Sequence, residues 1–237
     1  MEYNFDKFIA ETKKLSIELT EHQLEQFAKF YEMLVEKNKV MNLTGITEWE
    51  EVLEKHFLDS ISLIRAIDTS KDLYVLDLGT GAGFPGIPLK IAFPNLKIVL
   101  ADSLNKRLLF LQEVIDELHL ENIEAIHGRA EDLARDVNLR EKFDLCVSRA
   151  VANLSTLSEY CLPFVKIGGN FVSYKSGEFE TEVESSKKAI YLLGGKVKEV
   201  IQFKLGESGR SFIVIHKENK TAKTYPRKAG TPSKKPL

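Results

Sequence analysis

A chain of 237 residues with 43% hydrophobic and 29% charged residues has the composition of a folded globular protein, which excludes collagen-like, disordered and disulfide-scaffold classes. Two cysteines, Cys146 and Cys161, lie in apolar stretches without a C-x-x-C pair and the five histidines are scattered, so the chain reads as cytoplasmic, with no disulfide framework and no metal site. The net charge of -2 is uneven: residues 1–60 hold 13 acids against seven lysines, whereas residues 217–237 hold seven lysines and arginines against one acid.

The chain opens with acids at Glu2 and Asp6, where a signal peptide needs a basic start, and no apolar run approaches the roughly 18 residues that span a bilayer. No membrane partner is expected. Residues 1–70 repeat apolar positions at helical spacing, with Phe5, Phe8 and Ile9 in one run and Leu24, Phe27, Phe30, Tyr31, Leu34 and Val35 in a second. Thr20 with Gln23 predicts a capping box for the second helix, Asn38 and Asn42 are its terminators, and helix resumes over 47–66. These residues read as a helical extension packed on the core of the chain.

From residue 72 short apolar strands alternate with helices, the pattern of a parallel sheet. Strands are predicted at Leu73 to Leu78, Lys97 to Ala101, Ile123 to His127, Phe143 to Ser148 and Asn170 to Tyr174, with helices near 85–93, 104–118, 130–137, 154–162 and 179–193. Val197 to Leu205 and Phe212 to His216, joined across Gly206 to Gly209 with no helix between, predict an antiparallel hairpin. Periodicity alone supports a doubly wound α/β sheet; the closing hairpin makes it similar to the class I methyltransferase fold. The expected division is 1–70, 71–217 and a basic arm, 218–237, whose few apolar side chains predict that it does not pack; the rival reading is that Tyr225 and Pro226 fold it back over the ligand pocket, with the tyrosine ring as anchor.

Ligands of open parallel sheets bind beyond the carboxyl ends of the strands. After the first strand stands Asp77-Leu-Gly-Thr-Gly-Ala-Gly-Phe-Pro-Gly86. Its G-x-G-x-x-G at Gly81, Gly83 and Gly86 matches a dinucleotide pattern, but Gly79 fills the place directly after the strand and Phe84 interrupts the dinucleotide spacing. The G-x-G-x-G spacing of Gly79, Gly81 and Gly83 favours S-adenosylmethionine, and Asp77 suits an ammonium and a sulfonium better than a pyrophosphate. Alternatively Asp77 binds its own glycine loop. Asp102, ending the second strand 23 residues beyond Gly79, is placed to accept ribose hydroxyls, with Ser103 available to cap the next helix. Ala130 and Glu131 follow the third strand, and Arg149 follows the fourth, where a guanidinium forks onto a carboxylate or phosphate. Cys146 reads as a small buried hydrophobe. The basic arm makes nucleic acid a candidate partner.

Taken together, Asn38-Lys-Val-Met-Asn-Leu-Thr44, His56-Phe-Leu-Asp-Ser60, Leu76 to Pro88, Gly128-Arg-Ala-Glu131, Ser148-Arg-Ala150 and Tyr225-Pro-Arg-Lys-Ala-Gly-Thr-Pro232 resemble the bacterial small-subunit ribosomal RNA guanine-N7 methyltransferases, historically glucose-inhibited division protein B, over nearly the whole chain. The resemblance implies methyl transfer from S-adenosylmethionine to N7 of guanine 527 in the 530 loop of 16S rRNA. It also implies cofactor contacts at Gly79, Phe84, Ala130, Glu131 and Arg149, and 16S rRNA or the small ribosomal subunit as partner; a monomer is expected. Arg149 is expected to orient and no general base is expected, because guanine N7 has no proton to lose. Lys175, Arg227, Lys228, Lys234 and Lys235 are candidate RNA contacts; the family often places Gly directly after the lysine of the fifth strand, whereas here Ser176 precedes Gly177. A small-molecule methyltransferase would lack need of a basic arm, an NAD-dependent oxidoreductase would need a phosphate-friendly loop, and an RNA-binding module would lose the cofactor.

Overall fold

A computed structural model describes residues 3–149, 152–176 and 179–237; Ala150 and Gly177, singled out above, lie outside them. Strands form at Tyr74–Leu78 (β1), Lys97–Asp102 (β2), Ile123–His127 (β3), Phe143–Ser148 (β4), Val165–Ser176 (β5), Gly195–Leu205 (β6) and Ser208–Lys217 (β7). They make one sheet in the order β3-β2-β1-β4-β5-β7-β6, in which β3, β2, β1, β4 and β5 pair in parallel and β7 runs antiparallel to both neighbours. This is the expected class I methyltransferase architecture.

Helices cover both faces, which is why the central strands read as continuous apolar runs. Successive residues go to opposite cores: Val75, Ile98, Leu145 and Val172 to one, Leu76, Val99, Cys146 and Phe171 to the other. The first core lies under Asp6–Lys14 (α1), Glu21–Met41 (α2), Gly86–Ala92 (α5) and Asn105–Glu117 (α6). The short segments Trp49–Val52 (α3), a π-helical stretch Leu53–Leu58 and Asp59–Ile61 (α4) join it. Phe8, Phe27, Phe57, Phe30 and Phe84 form a chain of ring contacts with centroids 4.9–5.6 Å apart, so the N-terminal helices share their core with the glycine loop. The second core lies under Ala130–Leu133 (α7), Leu154–Cys161 (α8) and Glu180–Leu192 (α9). Cys146 and Cys161 are both fully buried there; burial and the neighbouring Cys161 thiol push the Cys146 thiol well above its ordinary value.

The Thr20 capping box forms as expected, with reciprocal bonds to Gln23, and Asn42 ends α2 in the left-handed region at φ 50°. Helix α7 is shorter than the expected 130–137, because the Arg135 and Asp136 amides donate to the carbonyls three residues back, Asp132 and Leu133, and close it in tighter turns. No helix among the described residues is long and apolar enough to cross a membrane.

The expectation of an unpacked arm is wrong. Residues 218–237, ending in a short helix Thr231–Lys234 (α10), fold back over α7 and α8. Arg140 donates to the Thr221 and Tyr225 carbonyls at 2.9 and 3.0 Å, and Arg135 to the Pro226 carbonyl at 2.7 Å. Arg227 forks onto Glu159 of α8, Nε at 2.9 Å from Oε1 and Nη2 at 2.6 Å from Oε2. Glu159 is fully buried, so Arg227 is the partner its charge requires. Counting charge along the arm conceals this, because the arm's acceptors and the arginines they meet are far apart in sequence.

Candidate active site

The site begins at the turn between β1 and α5. Gly79 leaves β1 with φ 75°, its amide donating to the Ala101 carbonyl at 2.8 Å, a backbone state that other residues adopt only with strain. Asp77 lines neither of the two cavities described below. It lies fully buried beneath the loop, where Oδ2 accepts from Thr80 Oγ1 at 2.7 Å and from the Gly86 amide at 2.8 Å. The loop-binding alternative is therefore the one realised, and burial pushes the Asp77 carboxyl up to about 6. A Cβ on Gly86 would stand 2.2 Å from Leu100 Cδ2 and 2.8 Å from Asp77 Oδ2, so this glycine serves packing.

A cavity of about 500 Å³ opens at the ends of β1, β2, β3 and β4, within the usual range of about 300–1,000 Å³ for small-molecule sites. Of the residues expected to bind cofactor, the structure brings Gly79, Asp102, Ala130 and Glu131 to its wall. Asp102 Oδ2 accepts from the Gly81 amide at 3.0 Å and from Arg107 at 3.2 Å, and Oδ1 from the Leu104 amide at 2.9 Å, so the carboxylate braces the loop and the start of α6 together. Ser103 does not cap α6; its N-cap is Leu104, without a side-chain bond. Glu131 Oε1 accepts from the Gly230 amide at 2.8 Å, and Gly230 and Ser233 of the arm complete the wall with Tyr160. Gly81, Gly83 and Phe84 do not line it.

Phe84 lies buried behind a second cavity of about 730 Å³, which shares Ala152 with the first. Its ring stacks on His56 at 4.5 Å, with the Arg149 guanidinium 4.9 Å above it. Arg149 donates through Nη1 to Asp59 Oδ2 at 3.1 Å and to the Lys55 carbonyl at 3.2 Å, while Nη2 lies 3.2 Å from His56 Nδ1. A guanidinium only donates, so His56 Nδ1 accepts and Nε2–H donates to Thr44 Oγ1 at 2.8 Å. Burial and the Arg149 charge drive His56 down to about 3, which keeps it neutral. Asp59 also faces Arg210, whose Nε is 3.0 Å from Oδ1. Lys175 pairs with Glu182 at 2.7 Å and donates to the Ala152 carbonyl at 2.8 Å; Tyr174 Oη donates to the Ser60 carbonyl at 2.9 Å.

The N-terminal helices thus wall the second cavity through His56 in the π-helical stretch and Asp59 immediately after it. Extra-wide helical turns of this kind recur at functional sites. The sequence pattern shows His56 to Ser60 without giving the segment a role, and Arg107, Glu159 and Arg210 carry no signal in it. Asp59 and Glu159 become conspicuous as buried acids only once the inner faces of their helices are assigned.

Comparison with known proteins agrees with this geometry. A family model described as rRNA small subunit methyltransferase G matches residues 23–212. The ribosomal RNA small subunit methyltransferase G of Lachnoclostridium phytofermentans is 53% identical over 97% of this chain and 96% of that protein. The protein of the same name from Brevibacillus brevis is 53% identical over 93% of this chain and 94% of its own. Two solved structures share the fold: TrmN from Thermus thermophilus, with TM-score 0.54 and 17% identity over 70% of this chain and 53% of that one, and M. jannaschii TYW2 in complex with AdoMet, with TM-score 0.51 and 19% identity over 62% and 69%. A glycine turn at the end of β1, an acid at the end of β2 and near-full-length identity of about half to two such enzymes leave one conclusion, that the chain belongs to the rRNA small subunit methyltransferase G family.

Proposed function

We propose that this methyltransferase moves a methyl group from S-adenosylmethionine to N7 of guanine 527, in the 530 loop of 16S rRNA, acting in the cytoplasm as a monomer on the small ribosomal subunit. The observation that supports it most is the commitment of the acids and the histidine among the described residues of the second cavity: His56 is neutral and bonded through both nitrogens, Asp59 is shared by two arginines, and Glu182 is paired with Lys175. Such a site cannot easily deprotonate a substrate, and guanine N7, a lone-pair nucleophile, does not ask it to.

S-adenosylmethionine fits the first cavity in size and in donor set, and when bound supplies an electrophilic methyl carbon. Gly79 lets that ligand approach the backbone, Asp102 accepts its ribose hydroxyls, and Ala130 and Glu131 meet its adenine edge. Asp77, Gly81, Gly83 and Phe84 act one layer behind, holding the loop. The guanine enters the second cavity, where Arg149 orients it across the Ala152 junction. Lys175 stands within that cavity, and Lys228, Lys234 and Lys235, exposed on the arm, meet RNA phosphates, while Arg227 holds the arm in place.

Borohydride and aniline cleavage of small-subunit rRNA after incubation with enzyme and S-adenosylmethionine tests the reading. One new cut at position 527 is expected, and none in RNA carrying 7-deazaguanosine there. Methyl incorporation without cleavage would move the reaction to another atom.

A further inference from the structure

The second cavity carries more positive charge than a nucleobase needs. Its lining includes Lys55, Arg149, Lys175 and Arg210 against Asp59 and Glu182. Lys175 is neutralised by Glu182, and Lys55 by Glu51 outside the cavity. What remains is a single buried carboxylate, Asp59, between two guanidiniums, each on a different oxygen. Among the described residues the cavity is therefore left with one uncompensated positive charge, and neutral His56 does not alter the count.

Arg210 adds a second observation. Its Nε is buried and lies 3.0 Å from Asp59 Oδ1 as an ion pair, yet without hydrogen-bond alignment, and it has no hydrogen-bond partner among the described residues. With Nε held by charge and not by an aligned hydrogen bond, the Arg210 fork is less fixed than one bonded through its nitrogens, and its Nη groups can turn to an incoming acceptor. Arg149, by contrast, is fixed by the Lys55 carbonyl, Asp59 and His56 and rests on the Phe84 ring. One guanidinium is pre-set and the other is waiting, and guanidinium forks match tetrahedral oxyanions bidentately.

From this we infer that the second cavity holds an anion seat, Arg149 and Arg210 ordered by Asp59, which takes a phosphate of the RNA strand beside the methylated guanine. The assignment of RNA rests on the function proposed above; the seat itself rests on the arginines. Its consequence is that the guanine is located by its own backbone, which needs no recognition of base edges by this end of the cavity.

Calorimetry on the full chain compares guanosine 5′-monophosphate, guanosine and inorganic phosphate. The monophosphate is expected to bind at least tenfold more tightly than guanosine, and Arg210→Gln to erase that preference while S-adenosylmethionine affinity stays within twofold. Equal binding of nucleoside and nucleotide by the wild type would overturn the seat, as would a preference that survives Arg210→Gln. A tenfold loss of S-adenosylmethionine affinity in the variant would assign the arginines to the cofactor's carboxylate instead. Inorganic phosphate binding as tightly as the nucleotide would overturn the RNA assignment. Should Arg210→Gln fail to fold by circular dichroism, Arg210→Lys, which keeps the charge and loses the fork, is expected to reduce the preference severalfold. A neutral methylphosphonate, walked through the linkages flanking the guanine in an RNA substrate, is expected to raise KM about tenfold at one position in the wild type and to add nothing in the arginine variant; additive effects everywhere would overturn the seat. Failure of the wild type to methylate rRNA would sink the proposed function and leave the nucleotide comparison to decide the seat.

Discussion

Asp77 and His56 are both buried, and their titrations act on stability in opposite directions. The native state holds the Asp77 proton up to about pH 6, above the ordinary 3.8, so stability rises as pH falls from 6 towards 3.8. His56 behaves oppositely: its native value near 3 lies below the ordinary 6.5, the unfolded chain takes the proton first, and stability falls as pH drops from 6.5 to 3. Each slope is at most about 1.4 kcal/mol per pH unit, so between pH 6 and 4 they nearly cancel. Relative to wild type, His56→Gln is expected to gain roughly 2 kcal/mol in urea unfolding between pH 6 and 4.5, and Asp77→Asn to lose a similar amount. Parallel profiles for all three proteins would show that neither group is perturbed. Asp102→Ala should weaken S-adenosylmethionine by about 1–3 kcal/mol, since it removes the proposed ribose acceptor and loosens the Gly81 amide. Unchanged affinity in a titration would confine Asp102 to bracing α6.

Among the elements, the C-terminal arm departs furthest from its composition. Its exposed lysines invite an electrostatic reading, whereas its backbone is held by Arg135, Arg140 and the amide donors that meet Glu131 and Glu141. Arg227→Met would leave Glu159 buried without its partner and is expected to cost about 3 kcal/mol in denaturant unfolding, with part recovered by adding Glu159→Gln. Because Gly230 and Ser233 line the cavity proposed for the cofactor, the same variant should weaken S-adenosylmethionine binding; a variant that melts like wild type would show the clasp to be ornamental. Strands β1, β2 and β4 were legible to within a residue because buried parallel strands declare themselves by β-branched and apolar runs, and the half-exposed edge strand β3 has the expected bounds as well. The π-helical stretch was not, since a one-residue widening of a helix leaves no periodic trace.

At the scale of the molecule, the N-terminal helices and the sheet form one cooperative body. Phe57 touches Phe27, Phe30 and Phe84 and precedes Asp59 by two residues, so Phe57→Ala should cost about 3–5 kcal/mol and depress methyl transfer with it. Full activity in a destabilised protein would separate the core from the site. That strand-end residues would share one cavity wall was legible, because a parallel sheet delivers its loops to one edge. The second cavity was not, because its walls come from β5, β7 and a helix about ninety residues away from Arg149, an association that only tertiary packing creates. The two thiols provide a clock for that packing. Cys146 sits on the central strand β4 and Cys161 on α8, both with no solvent exposure, and a thiol must ionise in water to react. Modification by a water-soluble disulfide reagent should then proceed for both cysteines together, at the rate at which the whole protein opens once reagent is in excess, and should slow in proportion as S-adenosylmethionine is added. A fast phase for Cys161 alone would mean that α8 lifts from the sheet while β4 stays shut, opening the cofactor cavity and releasing the arm without unfolding the chain.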